Sequence, residues 1–392
     1  MNKALLNPKI QAFIDANLQV DLQQLILKGS PFEQISIQEL ASQIERKRKA
    51  KSKLPTWFNT KEIYYPPKVS IEQTSSEITA KYKASIVAKG DTFLDLTAGF
   101  GVDSYCFAQV FKNGIHCELN TSLSQIVAYN YDKLAVKNIK TVAQDGLVYL
   151  KDGNELFDLI YIDPSRRNAT KGKVFLLEDY EPNVIEHLDF ILTKTKQVLI
   201  KVSPLLDISQ VLSSLKNVVE VHCVAVANEM KELLFLVKKD ARVSPKIKAV
   251  NFTKSEQESF SFSWEKQFDI SYAMPRKYLY EPNAAILKSG AFEAVAAHYN
   301  MAKLHKHTHL YTSDALLEFA GRRFEIQAVL KPNKKELKKL LTTNKANVTK
   351  RNYPQTVAEI RKKFKLKDGG DSYLFFTTLL DDTKNVLICK RI

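Results

Sequence analysis

The segment that most restricts this chain is Asp95-Leu-Thr-Ala-Gly99-Phe-Gly101, which grows out of the apolar run Thr92-Phe-Leu-Asp-Leu96 and leads into a helical pattern over 103–111. A short buried strand, a glycine turn and a helix start, in that order, open a fold in which strands and helices alternate. Glycines in such a turn let the backbone approach a ligand, and the first N–H groups of the helix are free to bind it. Alone, the pattern fits an empty tight turn equally well. Its company says more. Glu118 closes a second strand-like run (114–118), Asp145 follows a third (140–144), and Asp163 follows a fourth (157–162). Open parallel sheets bind ligands outside the carboxyl ends of their strands, so four acids at four successive strand ends line one crevice. Strand ends favour Asp and Gly as turn formers in any case, but that preference does not account for their joint spacing.

The rest of the chain organises around this unit. Residues 1 to about 50 read as helical, with Ile10, Phe13 and Ile14, then Leu22, Leu25 and Ile26, at helical spacing. Ser36-Ile-Gln-Glu39 fits a capping box, and the basic run Glu45–Lys53 reads as a solvated helix end. Prolines in Leu54-Pro-Thr-Trp-Phe58 and Tyr64-Tyr-Pro-Pro67 argue against regular helix and mark a linker or a pocket rim. Further strands are expected over 197–202 and in a hairpin, 218–226 with 232–237. Beyond residue 240 the rhythm changes to strand-like pieces over 259–264 and 268–272, a helix over 283–299 and a mixed segment from Arg322. The expected fold class is α/β, a doubly wound Rossmann-like sheet. The expected domains are an N-terminal helical region (1–62), a catalytic domain (63–240) and small α+β modules (241–315 and 316–392).

At 392 residues the chain exceeds one ordinary core. Its net charge of +15 is uneven, because Lys331–Lys367 holds 13 Lys/Arg against Glu336 and Glu359. Such clustering favours a polyanionic partner. The four cysteines are widely spaced with no C-x-x-C pair, which reads as buried thiols in a reducing compartment. The N-terminus lacks the pattern of a signal peptide, and no stretch reaches the roughly 18–20 apolar residues of a membrane span. A cytoplasmic location with no membrane partner is expected. The oligomeric state is left open, with a monomer favoured. His305-Lys-His307-Thr-His309 could share a metal only with a further ligand nearby, and a surface loop or strand is the expected reading, without metal.

Two nucleotide-bearing cofactors compete for the crevice. A dinucleotide fingerprint wants a third Gly or Ala where Ser104 stands. Asp95 would repel a pyrophosphate and suits a cationic aminoacyl sulfonium. S-adenosylmethionine is therefore the expected cofactor.

Asp95 to Gly101 resembles the first motif of the class I methyltransferases, with Thr97 where the usual pattern has a glycine. Glu118 matches the family's ribose-binding acid, Asp145 its adenine-binding acid, and Asp163-Pro164-Ser165-Arg166-Arg167 its fourth motif, where the methyl acceptor sits. More narrowly, the chain resembles a bacterial family assigned as class I methyltransferases with a ferredoxin-like insert and a THUMP-like C-terminal domain. The carrying segments include Glu72-Gln-Thr-Ser-Ser-Glu77, Lys201-Val-Ser-Pro, Asn228-Glu-Met-Lys-Glu-Leu-Leu234, Leu279-Tyr-Glu-Pro-Asn-Ala-Ala285, Gly321-Arg-Arg-Phe324 and Arg351-Asn-Tyr-Pro354. The resemblance spans nearly the whole chain. It implicates Ser75 and Ser76 in holding the cofactor carboxylate, with an N-cap as the competing role.

Methyl transfer asks a protein to align a nucleophile and remove its proton. Asp163 is the candidate for orienting or deprotonating the acceptor, with Pro164, Ser165 and Arg166 beside it. Arg166 and Arg167 suit a phosphate or carboxylate clamp, or alternatively ion pairs with Glu178 or Asp179. Ser165 and Arg166 replace the proline and aromatic of exocyclic-amine methylases, which argues against that acceptor. None of the cysteines follows a proline, which disfavours carbon-5 pyrimidine chemistry. Lys201, Asn228 and Lys231 are expected to line the same pocket. In the basic segment, Leu337, Leu340 and Leu341 are expected inward, with Lys338, Lys339, Arg351, Arg361 and Lys362 as RNA contacts. Tyr353 and Phe364 are candidates for base stacking, with core burial favoured for Phe364. The THUMP-like resemblance implies RNA, ribosomal or transfer, as the partner. The alternatives are a methyltransferase of a small molecule or protein, and an RNA-binding protein that keeps the cofactor fold without catalysis.

Overall fold

Helical periodicity in the first fifty residues becomes α1 (Pro8–Ala16), α2 (Leu22–Lys28) and α3 (Ile37–Lys53), seen in a computed structural model that describes residues 2–166, 176–341 and 343–392. Ile10, Ile14, Leu25, Leu40 and Ile44 form their shared core. The capping box forms as expected: Ser36 Oγ accepts from Glu39 N at 3.2 Å, and Glu39 Oε2 accepts from Ser36 N at 3.1 Å. The basic end of α3 is not the solvated run expected. Lys47 is buried and pairs with Asp15, while Arg48 donates to the carbonyls of Leu18 at 2.6 Å and Asn17 at 3.0 Å and also to that of Val20. These three residues lie in the turn after α1, outside the helix ladder, and a long cationic side chain donates to their carbonyls. Pro55 opens α4 (Pro55–Asn59) instead of blocking helix, because the first helical position needs no N–H. That helix buries Trp57 against Phe100 and Tyr105. α5 (Lys68–Gln73) and α6 (Glu77–Ile86) follow.

The chain divides into two compact units, Met1–Val219 with Leu234–Val243, and Glu220–Leu233 with Ser244–Ile392. The first carries the alternating segment. Its elements are β1 (Gly90–Asp95), α7 (Val102–Phe107), β2 (Phe111–Cys117), α8 (Thr121–Lys133), β3 (Ile139–Val142), α9 (Gly146–Asp152) and β4 (Leu159–Ile162). After them come the short antiparallel pair β5 (Ser165–Arg166) and β6 (Tyr180–Glu181), then α10 (Val184–Lys194), β7 (Gln197–Val202) and α11 (Ile208–Ser214). The order β7-β4-β1-β2-β3 is parallel throughout, with Phe93 level with Gly114 on one side and Leu159 on the other. Strands are added to one side of β1 as far as β3 and to its other side from β4 onward. A crevice therefore opens beyond the carboxyl ends of β1 and β4. β4 is apolar and wholly buried, as a central parallel strand requires.

β8 (Val218–Val226) and β9 (Glu229–Lys238) form the expected hairpin. Its two connecting residues, Ala227 and Asn228, both have positive φ, 51° and 63°, as a tight two-residue hairpin turn demands. In the second unit β10 (Lys246–Phe252) runs parallel to β8, and β11 (Gln257–Ser263) pairs antiparallel with β10. A second sheet contains β12 (Tyr278–Pro282), β13 (Ala302–His305), β14 (Thr308–Ser313), β15 (Gly321–Leu330), β16 (Asn347–Arg351), β17 (Ser372–Thr378) and β18 (Lys384–Arg391). Their order is β13-β14-β12-β15-β18-β17-β16. The helices of this unit are α12 (Ala284–Ser289), which packs against β10, then α13 (Phe292–His298), α14 (Lys334–Leu340) and α15 (Val357–Phe364).

Several expectations fail here. Residues 268–272 form no strand and make only a single bridge, Tyr272 to Lys303. The helix expected over 283–299 is two, because Gly290 takes a left-handed conformation (φ 72°) that ends α12. Leu337 is buried, whereas Leu340 is half exposed, since the short α14 turns only one leucine fully into the core. Tyr353 packs on Phe376 in that core instead of offering a stacking face, and Phe364 joins it there, the core position favoured for it from the sequence. No helix among the described residues is long and apolar enough to cross a membrane.

Candidate active site

The glycine turn after β1 is shaped by its neighbours. Gly101 caps α7 with φ 78°, and a Cβ there would lie 2.3 Å from the Tyr131 hydroxyl, which itself donates to Gly101 O at 2.8 Å. Gly99 also has positive φ (55°), but a Cβ on it would meet nothing nearer than 4.0 Å. One glycine is locked against the core, and the other faces open space where a ligand can lie close to the backbone.

Asp95 lies beneath this loop with no exposure. Its carboxylate accepts from Ser104 Oγ at 2.6 Å and Thr97 N at 3.2 Å. Burial pushes its carboxyl up to about 8, against the lowering effect of those two bonds. Burial thus disfavours its charged form, and through Thr97 and Ser104 it braces the loop from below. Thr97, placed where the usual motif has a glycine, links two strand ends: its N donates to Asp95 and its hydroxyl accepts from Asp163 N at 2.7 Å.

Glu118 is half-buried at the end of β2, and its oxygens accept from Gly99 N at 3.0 Å and Asn120 N at 2.7 Å. Asp145 is exposed after β3 and caps α9, accepting from Val148 N at 3.0 Å. Asp163, part-exposed after β4, forms an ion pair with the largely buried Lys201 at the end of β7. Pro164 is buried and Ser165 exposed. Arg167 lies outside the described residues, and of Arg166 only the backbone is described, pairing with Tyr180. The alternative pairing of these arginines with Glu178 or Asp179 falls outside the described contacts for the same reason.

Ser75 lies below the surface. It is buried, donating to Asp103 Oδ2 at 2.8 Å and accepting from Lys83 Nζ at 3.1 Å. Lys83, fully buried, also pairs with Asp103 at 3.2 Å, and Tyr161 donates to Asp103 Oδ2 at 3.0 Å. Burial alone would raise the Asp103 pKa, but Lys83, Lys201, Ser75 and Tyr161 outweigh it and hold the carboxyl below its ordinary value. This buried charge network fixes the start of α7 and was not legible in sequence, since its members lie 28 and 58 residues apart. Ser76 takes the competing role of N-cap to α6, its Oγ accepting from Thr79 N at 3.4 Å.

Sequence reasoning also missed Leu119 and Val148. They are 73% and 44% exposed, next to Glu118 and within the first turn after Asp145. Large apolar residues at strand ends, where turn formers are expected, were the available signal. Exposed apolar surface beside hydrogen-bond acceptors is what a planar nucleobase needs.

The remaining candidates belong to the second unit. Asn228 is a turn residue whose Oδ1 accepts from Ala284 N at 2.7 Å, so its side chain serves the local fold. Lys231 is exposed and pairs with Glu229 at 2.8 Å. Lys338, Lys339 and Lys362 are exposed on α14 and α15, Arg361 pairs with Asp368, and Arg351 donates to Glu281 at 2.8 Å. His305 bonds to Asp382 at 3.0 Å and lies 3.1 Å from the side-chain amide of Asn352, at the end of β13.

The C-terminal part matches two family models, a ferredoxin-like domain over residues 278–319 and a THUMP domain-like region over 321–391. A stretch of 98 residues is 29% identical to an "uncharacterized RNA methyltransferase" of Mycoplasma mobile, and it covers only 25% of this chain and 27% of that relative. The whole chain superposes on the crystal structure of a Porphyromonas gingivalis W83 protein assigned as a methyltransferase, with a TM-score of 0.88 and 30% identity. That match covers 100% of this chain and 98% of the other. With sequence and fold shared end to end, the chain belongs to the methyltransferase family of that protein.

Proposed function

We propose that this protein transfers a methyl group from S-adenosylmethionine to structured RNA, ribosomal or transfer, in the cytoplasm. The observation that carries the reading is the open Gly99 turn at the strand-order switch, flanked by Glu118, Asp145 and Asp163. These residues fit the cofactor. The half-buried Glu118 suits ribose hydroxyls, Asp145 suits an adenine amine, and Leu119 and Val148 offer an apolar face to the ring. When bound, the sulfonium supplies an electrophilic methyl group. Asp163 then orients the acceptor, and Lys201 holds the carboxylate in place and offsets its charge. Thr97 fixes the backbone of Asp163 relative to the glycine turn, so donor and acceptor sites share one support. The RNA substrate is supported by the Mycoplasma relative, the THUMP domain-like match and the basic clustering in 331–367.

The test is a calorimetric titration of S-adenosylmethionine followed by tritium transfer to total RNA. Wild type is expected to bind in the micromolar range, Glu118→Ala to bind at least about tenfold more weakly, corresponding to about 1.4 kcal/mol, and Asp163→Ala to bind the cofactor but transfer nothing. Absence of cofactor binding by the wild type would sink the reading. Transfer to protein or small molecules but not RNA would move it to the alternative acceptors.

A further inference from the structure

Glu281, on β12, is a carboxylate with 2% of its side chain exposed. An ionised group so far from water must be paired. The register between β12 and β15 sets Arg322 directly opposite it, and Arg322 donates to Oε2, with Nε at 2.7 Å. Arg351, the last residue of β16, donates from Nη2 to Oε1 at 2.8 Å. One arginine would balance the charge. Two leave a surplus of one positive charge on a preformed frame.

The frame is open on one side. The two arginine side chains are 33% and 32% exposed. Arg351 Nε is buried and meets no acceptor among the described residues. Nearby, His309 lies flat on Phe292 with 3.5 Å between ring centroids, and its Nδ1 is likewise buried without a partner among the described residues. Burial, then Lys303, then Arg351 depress this imidazole to about 4, so it stays neutral and adds no charge of its own. Lys303 is buried with Nζ on Lys306 O at 3.0 Å. A guanidinium fixed along one edge by a carboxylate presents its remaining N–H groups in a set plane, the geometry that suits phosphate oxygens. A phosphodiester carries the one negative charge that the surplus matches.

We propose that Arg322 and Arg351, seated on Glu281, form a clamp for a backbone phosphate of the RNA substrate. It rests on the RNA reading above and assigns that contact to a site apart from the exposed lysines of α14 and α15. The competing possibility is that the trio only ties β12, β15 and β16 together.

A fluorescein-labelled RNA hairpin, titrated by anisotropy across a salt series, separates these. Arg351→Gln is expected to weaken binding about tenfold and to lower the slope of log K against log salt by about one, regardless of hairpin sequence. Arg351→Lys keeps a charge on Glu281 but not the planar fork. It should keep the slope yet weaken binding several-fold, and it serves alone if the glutamine variant does not fold. Wild-type affinity and slope in folded Arg351→Lys and Arg322→Lys would overturn the clamp. If the wild type binds no hairpin, calorimetry with inorganic phosphate decides. Binding heat that Arg351→Gln abolishes keeps the anion site and overturns the RNA reading, whereas no heat in the wild type overturns both.

Discussion

Single residues in this protein carry more than their motif positions imply, and His116 is the sharpest case. It ends β2 just before Cys117 and Glu118, is fully buried, and packs edge-on against Tyr131 with ring centroids 5.9 Å apart. Burial lowers its pKa from the ordinary 6.5 to about 4. The unfolded chain therefore takes up this proton as pH falls through 6.5, while the folded chain resists until about 4. The stability this site contributes is complete above 6.5 and is lost across that window, by about 3 kcal/mol. In His116→Phe, urea denaturation at a series of pH values should show a shallower fall in stability between 6.5 and 4. Coincident profiles for wild type and variant would refute the assignment. Thr97 makes a related point, since a position where glycine is usual gains a hydroxyl that bonds to the Asp163 backbone.

At the scale of elements, helix termini decide how the N-terminal region holds together. α3 is 17 residues long and its last turns are strongly basic. Its periodicity was legible, but the work of its cations was not, because that depends on where the carbonyl end of α1 falls. Arg48 satisfies three carbonyls there. Arg48→Met keeps the apolar stem and helix propensity and removes the guanidinium from all three carbonyls, of which Asn17 O keeps Val20 N as a donor. We expect a loss of about 1–3 kcal/mol, read by urea denaturation, with faster amide exchange confined to α1 and α2. Unchanged exchange in those helices would show that water replaces the guanidinium without cost. Pro55 and Gly290 show the same dependence on position. A proline opens α4 and a glycine closes α12, where a simpler reading would have blocked one helix and continued the other.

For the whole molecule, the question is which part of a +15 chain meets a polyanion. Lys338, Lys339 and Lys362 are exposed on short helices of the THUMP domain-like region. Replacing all three with Gln should leave the thermal transition in place and reduce the salt slope of RNA binding by about two to three. An unchanged slope would mean that RNA is held elsewhere, and that the cluster serves solubility.

What the sequence determined by itself was whatever rests on local periodicity and on spacing along single strands. The parallel α/β sheet, the glycine turn, the acids at successive strand ends and the Ser36–Glu39 capping box follow from patterns a few residues long. Tertiary structure decided which of those groups are exposed and which are buried. Asp95 and Ser75 look alike in sequence to exposed binding residues, yet both are buried and support the loop from beneath. Glu281 and Arg351 are 70 residues apart, and only sheet order brings them together. Periodicity tells which face of an element is apolar. Whether a polar group on that element is solvated, paired or left open to a ligand depends on what the rest of the chain places against it.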